Sequence, residues 1–133
     1  MLSHTTTIRV RYADTDKMGI VYYAKYLEYF EVARTEMLRS MGLPYRDIEA
    51  KGFELPVASA SIKYYKGAKY DDELLIKATL VPKHSPKVEI HYEVKRKVDD
   101  EVLAEGETTL VFVDAVSGKP VKAPQFYLDV IPV

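Results

Sequence analysis

The stretch Tyr12-Ala13-Asp14-Thr15-Asp16-Lys17-Met18-Gly19-Ile20-Val21-Tyr22-Tyr23, with the helical run it opens into, decides the fold of this 133-residue chain. Asp14 to Gly19 is polar and closes on a glycine, so it reads as a loop. From about residue 22 to residue 41 the apolar period becomes helical. Tyr23, Tyr26, Leu27, Phe30, Ala33, Met37 and Met41 recur at roughly 100° per residue on one face. Lys25, Glu28, Glu36 and Arg39 lie opposite. Gly42 followed by Pro44 stops the helix, and residues 45–51 add a short helical turn. Arg34 falls on the apolar side, near Phe30 and Met37. A buried guanidinium needs partners, so an ion pair with Glu31 or another acidic side chain is expected.

Outward from this helix the chain reads as β. Residues 5–12 alternate, with Ile8, Val10 and Tyr12 on one face and Thr7, Arg9 and Arg11 on the other. Residues 53–66 form a long mixed run. Leu74, Ile76, Ala78 and Leu80 alternate with polar neighbours. So do Val88, Ile90, Tyr92, Val94, Arg96 and Val98, against Glu89, His91, Glu93, Lys95 and Lys97. Asp99-Asp100 is a tight-turn signal that makes this strand and residues 101–114 a hairpin. Gly106 inside the second arm marks a bulge or a close packing contact. Residues 117–120 turn, and residues 121–133 cross the fold as a tail. Without repeats, linkers or low-complexity segments, residues 1–133 read as one domain.

A helix of about 18 residues is roughly 27 Å long, and a ten-residue strand spans roughly 33 Å. One curved antiparallel sheet of about five strands can therefore wrap one helix along its whole length, an α+β architecture. A single helix leaves a sheet edge uncovered, and such an edge invites pairing with another chain. A homo-oligomer, a dimer or a dimer of dimers, is expected.

Composition narrows the function. The 19 basic and 20 acidic side chains give a formal net charge of -1, so the electropositive footprint of a nucleic-acid binder is missing. Cysteine is absent, which removes disulfides and thiolate chemistry. No apolar run is long enough to span a bilayer, and the first residues lack the apolar core of a secretory signal. A cytoplasmic protein without integral membrane segments is expected. The chain also has no asparagine and one glutamine, Gln125. Depletion of these thermolabile residues is a feature of heat-adapted proteins, so a source that lives hot is expected. Any oxyanion must be held by backbone N–H groups, hydroxyls or cations.

The stretch around Asp14 and Asp16 carries the chemistry. It sets carboxylates just before a helix start, where free N–H groups and a partial positive charge gather. A carbonyl docked there can be polarised by a backbone donor, worth on the order of 3–4 kcal/mol in a transition state. A nearby carboxylate can attack that carbonyl or activate water, and Gly19 allows close approach of the backbone. By residue type alone, however, acids before a helix are mostly caps and turn formers.

Residues 12–23 resemble the signature of hotdog-fold acyl-CoA thioesterases, in the 4-hydroxybenzoyl-CoA thioesterase family and its Tol–Pal-associated branch. The likeness continues through residues 26–38, then at Ala68-Lys69-Tyr70-Asp71-Asp72-Glu73-Leu74 and at Val111-Phe112-Val113-Asp114. The resemblance implies hydrolysis of an acyl-CoA to a carboxylic acid and coenzyme A, without a cofactor. It implies that Asp16 is the catalytic carboxylate, nucleophile or general base, and that the backbone N–H of Tyr23 is the oxyanion donor. Gly19, Val21 and Tyr22 fall among the substrate-binding residues, and Asp14 becomes a structural turn residue. Tol–Pal-type relatives often carry histidine where this chain has Tyr23, which costs a possible proton shuttle and leaves the backbone donor.

Lys83-His84-Ser85-Pro86-Lys87 lies at a turn where the resemblance implies contact with the nucleotide phosphates of coenzyme A; a solvated hairpin turn is the plain alternative. Ser59 and Ser61 are candidates for lining the acyl-thioester tunnel, or core hydroxyls bonded to backbone. The tyrosines at 22, 23, 26, 29, 64 and 65 suit an acyl pocket, or core and interface packing. His4 falls in a loose terminus and His91 on the polar face of its strand; neither has histidine or carboxylate companions at metal-ligand spacing, so no metal site is expected. Two other functions fit the fold: a hotdog hydratase or dehydratase, which generally needs a histidine that this helix start lacks, and a non-catalytic acyl- or small-ligand-binding protein.

Overall fold

The computed structural model describes residues 2–83 and 85–131; His84 lies outside the described residues. In chain order it forms β1 (Ser3–Arg9), α1 (Lys25–Ser40), α2 (Tyr45–Ala50), β2 (Phe53–Glu54), β3 (Val57–Tyr64), β4 (Glu73–Leu80), β5 (Lys87–Arg96), β6 (Glu101–Val111), β7 (Val113–Asp114) and α3 (Gln125–Leu128). Five strands make one antiparallel sheet in the order β1-β4-β5-β6-β3, and β2 pairs β7 in a small ribbon. No helix among the described residues is long and apolar enough to cross a membrane.

Strand alternation divides the sheet into two faces. Leu74, Ile76, Ala78 and Leu80 on β4 and Val88, Ile90, Tyr92 and Val94 on β5 are buried beneath α1. Phe30 of the helix stacks on Tyr92 with ring centroids 4.2 Å apart and planes 7° apart. Tyr92 Oη and Thr108 Oγ1 lie 2.7 Å apart, which satisfies both hydroxyls inside the core. At the far end Tyr127 of α3 packs edge-on against Phe112, and burial pushes its phenol up to about 12.

The helix begins at Lys25, three residues later than its apolar period suggests. The backbone before it is already committed. Val21 N donates to Ala68 O at 2.8 Å and Tyr22 N to Asp14 O at 2.8 Å, while Thr15 bridges Val21 and Ile20 bridges Lys69. A residue held in such extended bridges cannot take a helical turn. The buried face of α1 is Tyr26, Tyr29, Phe30, Ala33, Met37 and Leu38. Tyr23 and Leu27, placed on that face by period alone, are 61% and 44% exposed.

Other differences have equally local causes. The run from 53 to 66 breaks at Leu55-Pro56, because proline has no N–H for a ladder. Arg34 makes no ion pair among the described residues; Glu31 instead accepts from the Thr35 hydroxyl at 3.3 Å. The Arg34 guanidinium sits beside the Tyr92 hydroxyl and opposes the upward push of burial on that phenol. The hairpin turn after β5 closes with Asp100 at φ +60°.

Gly106 marks close packing; the register of β5 and β6 slips elsewhere, between Val94 and Lys95. A Cβ at position 106 would lie 2.5 Å from the Phe30 ring and 2.8 Å from the Ser61 carbonyl. The bare backbone there lets the helix aromatic seat against the sheet. Gly106→Ala is expected to destabilise the fold by about 1–3 kcal/mol, read as a lower urea midpoint with an unchanged m-value.

Candidate active site

Asp14 organises the segment between β1 and α1. Its carboxylate is buried, and Oδ2 accepts from the Arg11 N–H at 3.0 Å and the Tyr29 hydroxyl at 2.9 Å. The Lys25 ammonium lies 4.0 Å from Oδ1, and the Asp14 carbonyl takes the Tyr22 N–H. One residue therefore ties the end of β1, the second turn of α1 and the last residue of the loop. Burial first, then the bond to Asp14, holds the Tyr29 phenol far above its ordinary value.

Inside this frame residues 15–21 form a tight loop. Asp16 N donates to Ile20 O at 2.9 Å, and Gly19 N to Asp16 O at 2.9 Å. Gly19 sits at φ +81°, a left-handed conformation that admits glycine readily. Asp16 Oδ1 accepts from the Met18 N–H at 2.8 Å, and its other oxygen has no protein partner among the described residues. That half-buried carboxylate faces a cavity of ≈ 280 Å³ whose lining includes Val21, Tyr23, Tyr26, Tyr64 and Tyr65.

The helix start borders the same cavity. Among the described residues neither the Tyr23 nor the Ala24 N–H has an acceptor in the protein. Both precede the first helical residue, where the helix dipole is positive. The Tyr64 hydroxyl donates to the Tyr23 carbonyl at 2.8 Å, fixing the peptide between residues 23 and 24. The Tyr22 ring lies 4.8 Å from that of Tyr23. Its phenol is raised first by the hydrogen bond with Tyr23, and least by the Asp16 charge.

The structure thus brings together Asp16, Val21 and Tyr23, with Gly19 and Tyr22 on the same loop. The remaining candidates stand elsewhere. Ser59 and Ser61 are exposed on β3 and make no hydrogen bond among the described residues, so they are not core hydroxyls. Ser61 lines a separate groove with His91 and Glu107. Lys83 pairs with Glu89 at 3.0 Å, and Ser85 Oγ accepts from the Lys87 N–H at 3.1 Å in the turn between β4 and β5. Lys66 and Gly67 line the Asp16 cavity although the sequence reading passed over them. Their signal was the small pair Gly67-Ala68, since a Cβ at 67 would come within 2.7 Å of the Ile20 side chain. His91, contrary to expectation, does have carboxylate companions: Glu89, two residues before it on the same strand, and Glu107, which faces it across the ladder where spacing along the chain cannot reveal it.

Residues 10–131 match the family described as the thioesterase-like superfamily. The chain belongs to that superfamily. The acyl-CoA thioester hydrolase YbgC of Escherichia coli O6:H1 is 31% identical over 118 residues, 89% of this chain and 87% of that relative. A solved DHNA-CoA thioesterase from Staphylococcus aureus is 29% identical with a TM-score of 0.90, over 97% of this chain and 86% of that one. The 4-hydroxybenzoyl CoA thioesterase from Pseudomonas sp. strain CBS-3 shares the fold, at 23% identity and a TM-score of 0.88 over 98% of this chain and 99% of that one. The helix wrapped by a five-stranded sheet is accordingly the hotdog fold of this superfamily.

In this thioesterase-like chain the loop rests on the Asp14–Tyr29 contact. Tyr29→Phe removes a hydrogen bond to a buried charge, which is expected to cost about 1.5–3 kcal/mol of stability. Urea denaturation of the variant beside the parent measures it.

Proposed function

We propose that this protein is an acyl-CoA thioester hydrolase, converting an acyl-CoA and water to a carboxylic acid and coenzyme A. The observation that carries this reading is the joint presence, in one cavity, of the Asp16 carboxylate with an unpartnered oxygen and the unpaired Tyr23 N–H at the amino end of α1. The names of the acyl-CoA thioester hydrolase and DHNA-CoA thioesterase relatives support it.

The thioester carbonyl oxygen is taken to lie against the Tyr23 N–H. Charge developing on that oxygen is then met by a fixed donor and a helix dipole. Asp16 supplies the attack in one of two ways. As nucleophile it bonds to the carbonyl carbon, the C–S bond breaks, coenzyme A leaves as thiolate and water hydrolyses the resulting anhydride. As general base it takes a proton from water, the water oxygen adds to the carbon, and the proton passes to the departing sulfur. Gly19, Val21 and Tyr22 shape the approach, and the exposed rings of Tyr22, Tyr23, Tyr64 and Tyr65 offer apolar surface to the acyl group. Lys83, His84 and Ser85 are assigned to the coenzyme A end. Ser59 and Ser61 lie outside the Asp16 cavity, so the reading gives them acyl-thioester contacts only across an interface between two copies.

That interface is also part of the reading. β3 is an edge strand with seven of its eight residues exposed, and Val57, Tyr64, Tyr65 and Leu27 are exposed apolar side chains in or near it. We take the protein to be a homo-oligomer, a dimer or a tetramer of two dimers, working in the cytoplasm of a heat-adapted source. The absence of cysteine and asparagine is in keeping with that setting.

Asp16→Asn is nearly isosteric and is expected to lower kcat at least about 10²-fold with KM little changed, measured by thiol release from a panel of acyl-CoAs. Unchanged turnover would refute the role of Asp16. A single turnover in ¹⁸O-water separates the two routes, because only the covalent one leaves label in the Asp16 carboxylate. Val57→Lys, which sets a charge on the free edge, is expected to shift the assembly toward monomer in analytical ultracentrifugation. A parent protein that already sediments as a monomer would overturn the oligomer.

A further inference from the structure

The polar face of the sheet, away from α1, carries a constellation that the hydrolase reading does not use. His91 on β5 is the direct cross-strand partner of Glu107 on β6, and Glu89 lies two residues before His91 on the same face. His91 Nε2 is 2.7 Å from Glu89 Oε2 and 3.6 Å from Glu107 Oε2. One ligand atom from each of the three residues lies within 4.8 Å of the other two.

These separations have a chemical meaning. A zinc-sized ion sits about 2.0–2.2 Å from an imidazole nitrogen and from carboxylate oxygens, so tetrahedral ligand atoms around it lie roughly 3.3–3.6 Å apart. Nε2 is already at that separation from Glu107 Oε2, at 3.6 Å, and nearer to Glu89 Oε2, at 2.7 Å, so the Glu89 side chain swings outward to admit the ion. The Cα atoms are fixed by the β5–β6 ladder, which is the rigid support a metal site needs. Lys83 uses Oε1 of Glu89, so Oε2 can turn to a metal without breaking that pair.

We propose that Glu89, His91 and Glu107 form a binding site for a divalent transition-metal ion of the zinc class. An imidazole with two carboxylates favours such ions over magnesium or calcium, which prefer oxygen alone. Three protein ligands leave at least one coordination position open. That position faces the ≈ 540 Å³ groove shared by His91 and Glu107 with Ser61, Lys63, Tyr65 and Glu105. The three ligands lie on the side of the sheet opposite the helix, and none of them lines the Asp16 cavity.

Isothermal titration of the metal-stripped, full-length protein with Zn²⁺ tests it. The expected result is one ion per chain with a Kd of about 10 µM or tighter. His91→Ala and Glu107→Gln should each weaken binding at least about tenfold, and Zn²⁺ should raise the Tm of the parent but not of His91→Ala. Both positions are surface ones, so melting without metal should match the parent. Failure to saturate below about 1 mM would overturn the site. So would binding that survives both substitutions, or that is lost instead with His4→Ala or His84→Ala, the other two histidines of the chain.

Discussion

A buried carboxylate bound to a helix hydroxyl holds this molecule in its working shape. Asp14 has almost no exposure, and a charge so placed is tolerated only when its lone pairs are occupied. Here the occupants are the Arg11 amide and the Tyr29 hydroxyl. Because Tyr29 is in the second turn of α1 and Arg11 follows β1, satisfying one carboxylate fixes the helix against the strand. The Asp14 carbonyl, bonded to the Tyr22 amide, then closes the loop that presents Asp16. The position of the Asp16 carboxylate is thus set by the cost of leaving another acid unsatisfied.

The sheet divides its labour by face. One side is a continuous apolar floor under α1, completed where glycine at 106 admits the Phe30 ring. The other carries alternating acids, lysines and His91. Of the sheet, only the end of β3 at Tyr64 reaches the cavity beside Asp16, which forms where the loop, the helix start and the segment from Tyr64 to Gly67 meet. Chemistry sits at a seam between elements, as is common when a rigid scaffold carries loops.

Much of the fold was legible because the two periodicities are clean. Alternation picked out the buried residues of β4 and β5, and the helical period found Tyr26, Phe30, Ala33 and Met37. It misjudged Tyr23, which precedes the first helical residue because Val21 and Tyr22 are already bonded to Ala68 and Asp14, and Leu27, which lies in the helix but off its buried stripe. It missed Tyr29 and Leu38 because the buried stripe is rotated relative to the apolar one. Of the site, the motif run from 14 to 23 was legible as a loop before a helix, while its closure by Tyr64 to Gly67 depended on contacts some forty residues away in sequence. The expected Arg34 ion pair failed for a similar reason: a phenol from β5 stands where an acid was sought. Glu107, the cross-strand companion of His91, was invisible to spacing along one strand, whereas Glu89, two residues before His91, was in plain sight.

Tyr64 is the last residue of β3 and donates to the Tyr23 carbonyl. The peptide it grips adjoins the one that bears the unpaired Tyr23 amide, so the alignment of that amide is set from the rim of the sheet. The end of β3 is thereby linked to the amino end of the helix. A change at the tip of this strand would reach the amino end of α1 through a single phenolic hydrogen bond.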